Sequence, residues 1–241
     1  MAYIYGDYNN NALYGNYYQY DYLYGYAGDD YLAGSYTPDY YGDYMEGGYG
    51  NDVYVVDSYY DTVYEYAGQG TDSLYSYVNI YGLNEHVENL YLYDSPYAYY
   101  GIGNNHDNQI YGNNYDNYLH GGTGHDYAYG NKGNDYVYGG DGDDYIIGGG
   151  YQYDSNEYDY LWGDAGKDTY VLGDNTYGSY YQGQGYAIIK DFKYEHGDLI
   201  DVYGSKSDYT LYSSHNGSYI YKGNDIIAYA ENVYLTGAAL S

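Results

Sequence analysis

The sequence has 241 residues, of which 37 are Gly and 54 Tyr, and its formal charge is −29, from 35 acidic against six basic residues. That charge excludes nucleic acid as a partner, the lack of any Cys excludes disulfides and thiolate metal sites, and no apolar stretch reaches the length of a membrane span, so no membrane insertion is expected. Tyr inflates the hydrophobic fraction, so a core of Leu, Ile, Val and Phe is thin and a repetitive, ion-assisted architecture is favoured. An acidic disordered chain would be poor in aromatics, whereas 23% of these residues are aromatic. The acids therefore read as cation ligands.

Residues 1–57 form a first block of loose repeats. Gly6, Gly15, Gly25 and Gly34 recur at nine or ten residues, Gly25-Tyr-Ala-Gly-Asp-Asp-Tyr-Leu-Ala33 nearly fits the template G-G-x-G-x-D-x-U-x (U apolar), and Gly47-Gly-Tyr-Gly-Asn-Asp-Val-Tyr-Val55 fits it fully. Residues 58–102 are an acidic spacer whose strands are expected to continue the same architecture. Residues 103–174 carry the main block: Gly103, Gly112, Gly121, Gly130, Gly139 and Gly148 keep a nine-residue step without a slip. Within it, position six reads Asn108, Asn117, Asp126, Asp135, Asp144, and position eight reads Ile110, Leu119, Ala128, Val137, Ile146. After an insertion near 150–156, Gly163-Asp-Ala-Gly-Lys-Asp-Thr-Tyr-Val171 adds a last copy. Residues 175–241 are expected to be a β region that closes the chain.

The spacing has a physical reading. Gly and Asn at positions one, two and four allow a tight turn. Positions seven to nine then make a short strand, with eight inward and seven and nine outward. Two nonapeptides give an 18-residue coil, so Asp126 stacks on Asp144, Asn117 on Asp135, Tyr118 on Tyr136 and Tyr127 on Tyr145. The fold class is all-β, a parallel β-roll or β-solenoid.

These nonapeptides resemble the RTX, or haemolysin-type, calcium-binding repeats of secreted bacterial proteins. Tyr54-Val-Val-Asp57, Gly70-Thr-Asp72 and Val87-Glu-Asn-Leu90 resemble a spacer found between such blocks, and Ile188-Ile-Lys-Asp-Phe192 with Gly197-Asp-Leu-Ile200 resembles a segment that closes many of them. The resemblance implies several Ca2+ ions held between stacked turns. It places Asp126, Asp135 and Asp144, and by motif match Asp30, Asp52 and Asp168, as carboxylate ligands, with Gly121, Gly130, Gly139 and Asn117 in the same set. Asn108 and Asn117 depart from Asp, which makes sites beside them uncharged. Indels blur the register of Asp21, Asp39, Asp43 and Asp159.

Family repeats usually carry small polar residues at positions seven and nine, where this chain has Tyr. The expected result is outward tyrosine ladders. Neither H-E-x-x-H nor G-x-S-x-G occurs, and the repeats leave no uninterrupted catalytic domain, so no enzyme is expected. The six His are scattered and read as solvated surface residues. The expectation is a secreted, extracellular, calcium-stabilised structural protein that self-assembles into a homopolymer such as a filament, sheath or surface layer. The resemblance implies export through a type I channel by a signal near the C-terminus. Residues 1–5 read as an uncharged, uncapped strand that would join copies head to tail. The alternatives are an adhesin whose tyrosines bind a polysaccharide, and a non-catalytic relative of an RTX enzyme.

Overall fold

The computed structural model describes residues 1–35, 42–149, 153–176 and 178–241; Asp39 lies outside them. The short strands after each turn alternate between two faces of a parallel roll. One face is a ten-stranded sheet in which Ala12–Tyr14, Tyr31–Ala33, Val53–Val56, Ser73–Ser76 and Asn89–Leu92 lead on to Gln109–Tyr111, Tyr127–Asn131, Tyr145–Gly149, Thr169–Val171 and Leu199–Asp201. The other face begins as a four-stranded sheet from Ala2–Tyr5 to Thr62–Tyr64, with Ala2–Tyr5 at its edge, and resumes as an eight-stranded sheet from Tyr100–Ile102 onward.

In the main block the expected register is observed: Tyr118 pairs with Tyr136, and Tyr127 with Tyr145. Position eight points inward throughout, and Ile110, Leu119, Ala128, Val137 and Ile146 are fully buried. Each strand contributes one or two such side chains. The core is therefore a column that runs the length of the roll, so a small number of Leu, Ile and Val suffices.

Insertions change loop length but not register. Tyr136 pairs with Tyr160 and Tyr145 with Thr169 across the insertion near 150–156. Part of that inserted chain, Tyr153–Ser155, forms its own small parallel sheet with Gln182–Gly183 outside the main ladders. The roll ends when parallel winding stops. Asp225–Glu231 adds in parallel to Tyr186–Ile189 and is then covered by an antiparallel meander of Gly217–Lys222 and Tyr209–Ser214. Among the described residues no helix is long and apolar enough to cross a membrane.

The outward placement expected for tyrosine holds for most positions but not all. Tyr54, Tyr170 and Tyr181 are fully buried, and Tyr129, Tyr180 and Tyr209 are nearly so. Tyr54 and Tyr170 occupy inward position eight, where their rings serve as core and their hydroxyls must find polar partners.

Candidate metal centre

Most described turns of the repeat blocks place one acidic or amide side chain just before a strand, and these residues stack into rows joined by one recurring hydrogen bond. Within a row the backbone N–H of one residue donates to Oδ1 of the next, one coil on. In the main block Asn108 donates to Asp126 at 2.7 Å, Asp126 to Asp144 at 2.8 Å, Asp144 to Asp168 at 3.1 Å and Asp168 to Asp198 at 3.2 Å. On the opposite side Asn117 donates to Asp135 and Asp135 to Asp159. The N-terminal block has the same two rows, Asn11 to Asp30 to Asp52 to Asp72 and Ala2 to Asp21 to Asp43 to Asp61.

The second carboxylate oxygen separates two kinds of turn. Among the described residues, Oδ2 of Asp30, Asp52, Asp126, Asp135 and Asp144 is buried and accepts no hydrogen bond. All five belong to full or nearly full glycine repeats. In turns that depart from the repeat, protein donors satisfy Oδ2. Asp21 receives the N–H and the side-chain amide of Asn16, and Asp43 the N–H of Ser35. Asp61 takes the N–H of Ser58, Asp159 the hydroxyl of Tyr181 and Asp198 the N–H of Lys193. Asp21, Asp43 and Asp159, the described residues whose register the indels blur, are thus in the rows, with this oxygen already satisfied.

The unpartnered oxygens share their space with carbonyls. A Cβ built on Gly121 would stand 2.3 Å from Asp126 Oδ2 and 2.3 Å from the Gly139 carbonyl oxygen. On Gly130 it would stand 2.3 Å from Asp135 Oδ2 and 2.6 Å from the Gly148 carbonyl oxygen, and on Gly139 2.3 Å from Asp144 Oδ2. Position one is therefore Gly because carboxylate and carbonyl oxygens converge where a side chain would begin. Asp168 takes the same place beside Gly163.

A buried carboxylate oxygen without a donor is costly, and a cluster of carboxylates and carbonyls matches the all-oxygen coordination of Ca2+. The residues present fit that ion. When bound, it would neutralise the stacked carboxylates and fill the oxygen-lined gap. Asn117 is the exception among the expected ligands. Its Oδ1 accepts the Asn113 N–H at 2.7 Å and its Nδ2 donates to Asn113 Oδ1 at 3.1 Å. The amide brings its own donor where a carboxylate would need a cation, so Asn117 is not carried into the ligand set.

Burial pushes the Asp52, Asp144 and Asp168 carboxyls up to about 7 and that of Asp126 up to about 6. The Asp135 carboxyl rises well above the usual range through burial, with neighbouring Asp159 adding to the shift. Sequence reasoning missed Asp61, Asp72 and Asp198 as members of the rows. A usable signal existed: each stands two residues before a buried apolar residue, Val63, Leu74 and Ile200, with or without glycines ahead of it.

A family model described as RTX calcium-binding nonapeptide repeat matches this chain in four copies, at residues 5–35, 102–137, 120–150 and 153–176. Among solved structures, the chain is similar to the extracellular lipase LipA from Serratia marcescens at 18% identity and a TM-score of 0.40; the match covers 98% of this chain and 38% of the lipase chain. No curated protein matches.

Two outcomes are expected. Asp135→Asn and Asp144→Asn should each weaken calcium affinity by on the order of tenfold, about 1.4 kcal/mol, while Asp107→Ala leaves it near wild type. Asp107 is exposed and accepts the His125 N–H at 2.7 Å. Calcium titration followed by circular dichroism checks this. The second outcome concerns pH in chelator. The folded-state pKa of these carboxyls lies above the unfolded value of 3.8. Their contribution is then fully present below pH 3.8 and is lost as pH rises through about 7. Urea unfolding midpoints in chelator should fall across that window. Calcium should restore stability at its upper end, because the ligands must be deprotonated to bind.

Proposed function

From a chain that carries RTX calcium-binding nonapeptide repeats wound into a parallel β-roll, we infer a secreted, non-catalytic structural protein that is stabilised by calcium and self-assembles through its outward tyrosines. The observation that carries this reading is how the rings are arranged. On the four-stranded sheet Tyr3 stacks on Tyr22 with centroids 4.8 Å apart and planes at 6°, and Tyr22 on Tyr24 at 6.4 Å and 4°. Tyr75, Tyr91 and Tyr111 form a second run at 4.6 and 4.7 Å. Tyr136 on Tyr160 and Tyr138 on Trp162 form a third, at 4.9 and 4.3 Å.

Rings stacked face to face spend their faces on one another and present edges and hydroxyls to solvent. Sugar rings are gripped by open aromatic faces, and within these runs few faces are open. A row of hydroxyls is different. Each is both donor and acceptor, so a tyrosine comb is complementary to a second copy of itself. Self-stacking of about 0.5–1.5 kcal/mol per pair stabilises the comb in the monomer. It does not account for the exposure of Tyr3, Tyr5, Tyr26, Tyr64 and Tyr66, each more than two-fifths accessible, which suits a contact surface.

In millimolar calcium the protein is expected to form concentration-dependent assemblies, visible by electron microscopy and light scattering and dispersed by chelator. Serine at Tyr3, Tyr5, Tyr22 and Tyr24 together should reduce them while leaving the β signal in place. A wild-type protein that stays monomeric at high concentration, or that binds a polysaccharide only as a monomer, would overturn the reading. Calcium-linked folding also suits export of an unfolded chain into a calcium-rich exterior through a type I channel. Deleting residues 192–241 should then retain the protein in the cell; normal export of that truncation would refute this route.

A further inference from the structure

The roll has two places where a run of glycine turns gives way to other sequence, and both are built from the same five residues. In the first, Gly47, Asp52 and Tyr54 lie in one repeat, and Glu65 and Asp72 in the coil that follows. In the second the corresponding residues are Gly163, Asp168, Tyr170, Asp191 and Asp198. The spacing within each repeat, and between the two acids that follow, is identical. Strand register makes the match spatial: Glu46 pairs with Tyr64 and Leu161 with Ile189, which brings Glu65 opposite Gly47 and Asp191 opposite Gly163.

The hydrogen bonds also match. The glycine N–H donates to the inward tyrosine hydroxyl, Gly47 to Tyr54 at 2.7 Å and Gly163 to Tyr170 at 3.0 Å. That hydroxyl donates in turn to the acid above, Tyr54 to Glu65 and Tyr170 to Asp191. The aspartate N–H donates to the last acid, Asp52 to Asp72 and Asp168 to Asp198.

The two places differ in charge compensation. At the second, Lys193 brings its ammonium to 3.6 Å from Asp191 Oδ2 and 2.6 Å from the Asp164 carbonyl, and its backbone N–H to 2.7 Å from Asp198 Oδ2. At the first, the residue that corresponds to Lys193 is Ala67, and no Lys or Arg occurs before Lys132. Asp52, Glu65 and Asp72 each place a carboxylate oxygen within 4.8 Å of the others, and all three are buried. Asp52 is fully buried, and its Oδ2, which a Cβ on Gly47 would meet beside the Tyr54 hydroxyl that reaches Glu65, has no hydrogen-bond partner among the described residues.

We propose that Asp52, Glu65 and Asp72 bind one divalent cation of the oxygen-seeking, calcium-like class, in the place that Lys193 fills at the other end of the roll. Two of the three ligands, Glu65 and Asp72, lie outside the glycine repeats, so the site is additional to those between repeat turns. Tyr54 holds Glu65 in position. Burial raises all three carboxyls.

The proposal needs only the calcium-binding part of the functional reading, and its test is a count of ions. Wild type, Glu65→Gln and Ala67→Lys are dialysed against millimolar calcium and bound metal is measured by elemental analysis, with circular dichroism to establish folding. Glu65→Gln keeps an acceptor for Tyr54, and Ala67→Lys supplies the missing ammonium on an exposed turn. Each should fold and hold one ion fewer than wild type. Ala67→Lys should also need less calcium to reach half of its β signal. Should Glu65→Gln fail to fold, Ala67→Lys decides alone, and a wild-type count in it overturns the site. Counts unchanged in both variants, with Asp135→Asn still losing an ion, sink this site but leave the repeat sites standing. A wild-type protein that binds no calcium sinks both.

Discussion

The structure depends on one hydrogen bond repeated along the aspartate rows: a carboxylate oxygen just before a strand accepts the backbone N–H of the same position one coil back. A bond of this kind to a charged acceptor contributes about 1.5–3 kcal/mol. It holds the coils in register and buries the acid. It also stacks like charges at strand spacing, where two carboxylates repel by ~3 kcal/mol at an effective dielectric near 20. The two terms are of similar size, so the rows alone are close to neutral for stability. The balance is set by the other oxygen. Where a protein donor reaches it, as Tyr181 reaches Asp159, the turn is complete within the chain. Where none does, as at Asp126 and Asp144, the turn is left to protons or to a cation.

The tyrosine stacks follow from that register. Position seven comes directly after the ladder acid, so once Asp126 is fixed over Asp144 Tyr127 must lie over Tyr145. Parallel pairing then puts like residues side by side on the outer face. No separate device aligns the rings, and a sequence with Tyr at seven and nine in successive repeats has no other way to arrange them. The same logic accounts for the buried tyrosines. Position eight faces the core whatever occupies it, so Tyr54 and Tyr170 point inward. Each then carries its hydroxyl beneath a turn, to a glycine N–H and an acid.

The roll and the main aspartate rows were legible in the sequence because an unbroken nine-residue step leaves one way to stack the turns. Asp126, Asp135 and Asp144 needed nothing more. The blurred residues were illegible to counting, since the ladder tolerates steps of 18, 20, 22, 24 and 30 residues. Extra chain leaves the roll as a loop and returns to the same point. The invariant is local: an acid, any residue, then a buried apolar one, as in Asp21-Tyr-Leu23, Asp61-Thr-Val63 and Asp72-Ser-Leu74. Glycine marks only the turns in which carboxylate and carbonyl oxygens crowd position one. Glu65 and Asp191 were not legible at all, because their role comes from the coil beneath them.

The distribution of positive charge gives the roll a direction. All six basic residues lie between Lys132 and Lys222, and several are used structurally. Lys190 pairs with Glu231 at 2.6 Å and lies over the Trp162 ring, Lys193 closes the end of the second repeat block, and Lys222 donates to Ser179 at 2.6 Å. The C-terminal end thus meets its buried acids with its own ammonium groups and covers its last coil with an antiparallel meander. The N-terminal block has equally buried acids and no lysine or arginine. With the same five-residue junction closed by Lys193 at one end and carrying no lysine or arginine at the other, the acids of the first block are left to protons or to a cation. On the proposed reading, calcium dependence follows from where lysine is absent as much as from where aspartate is present.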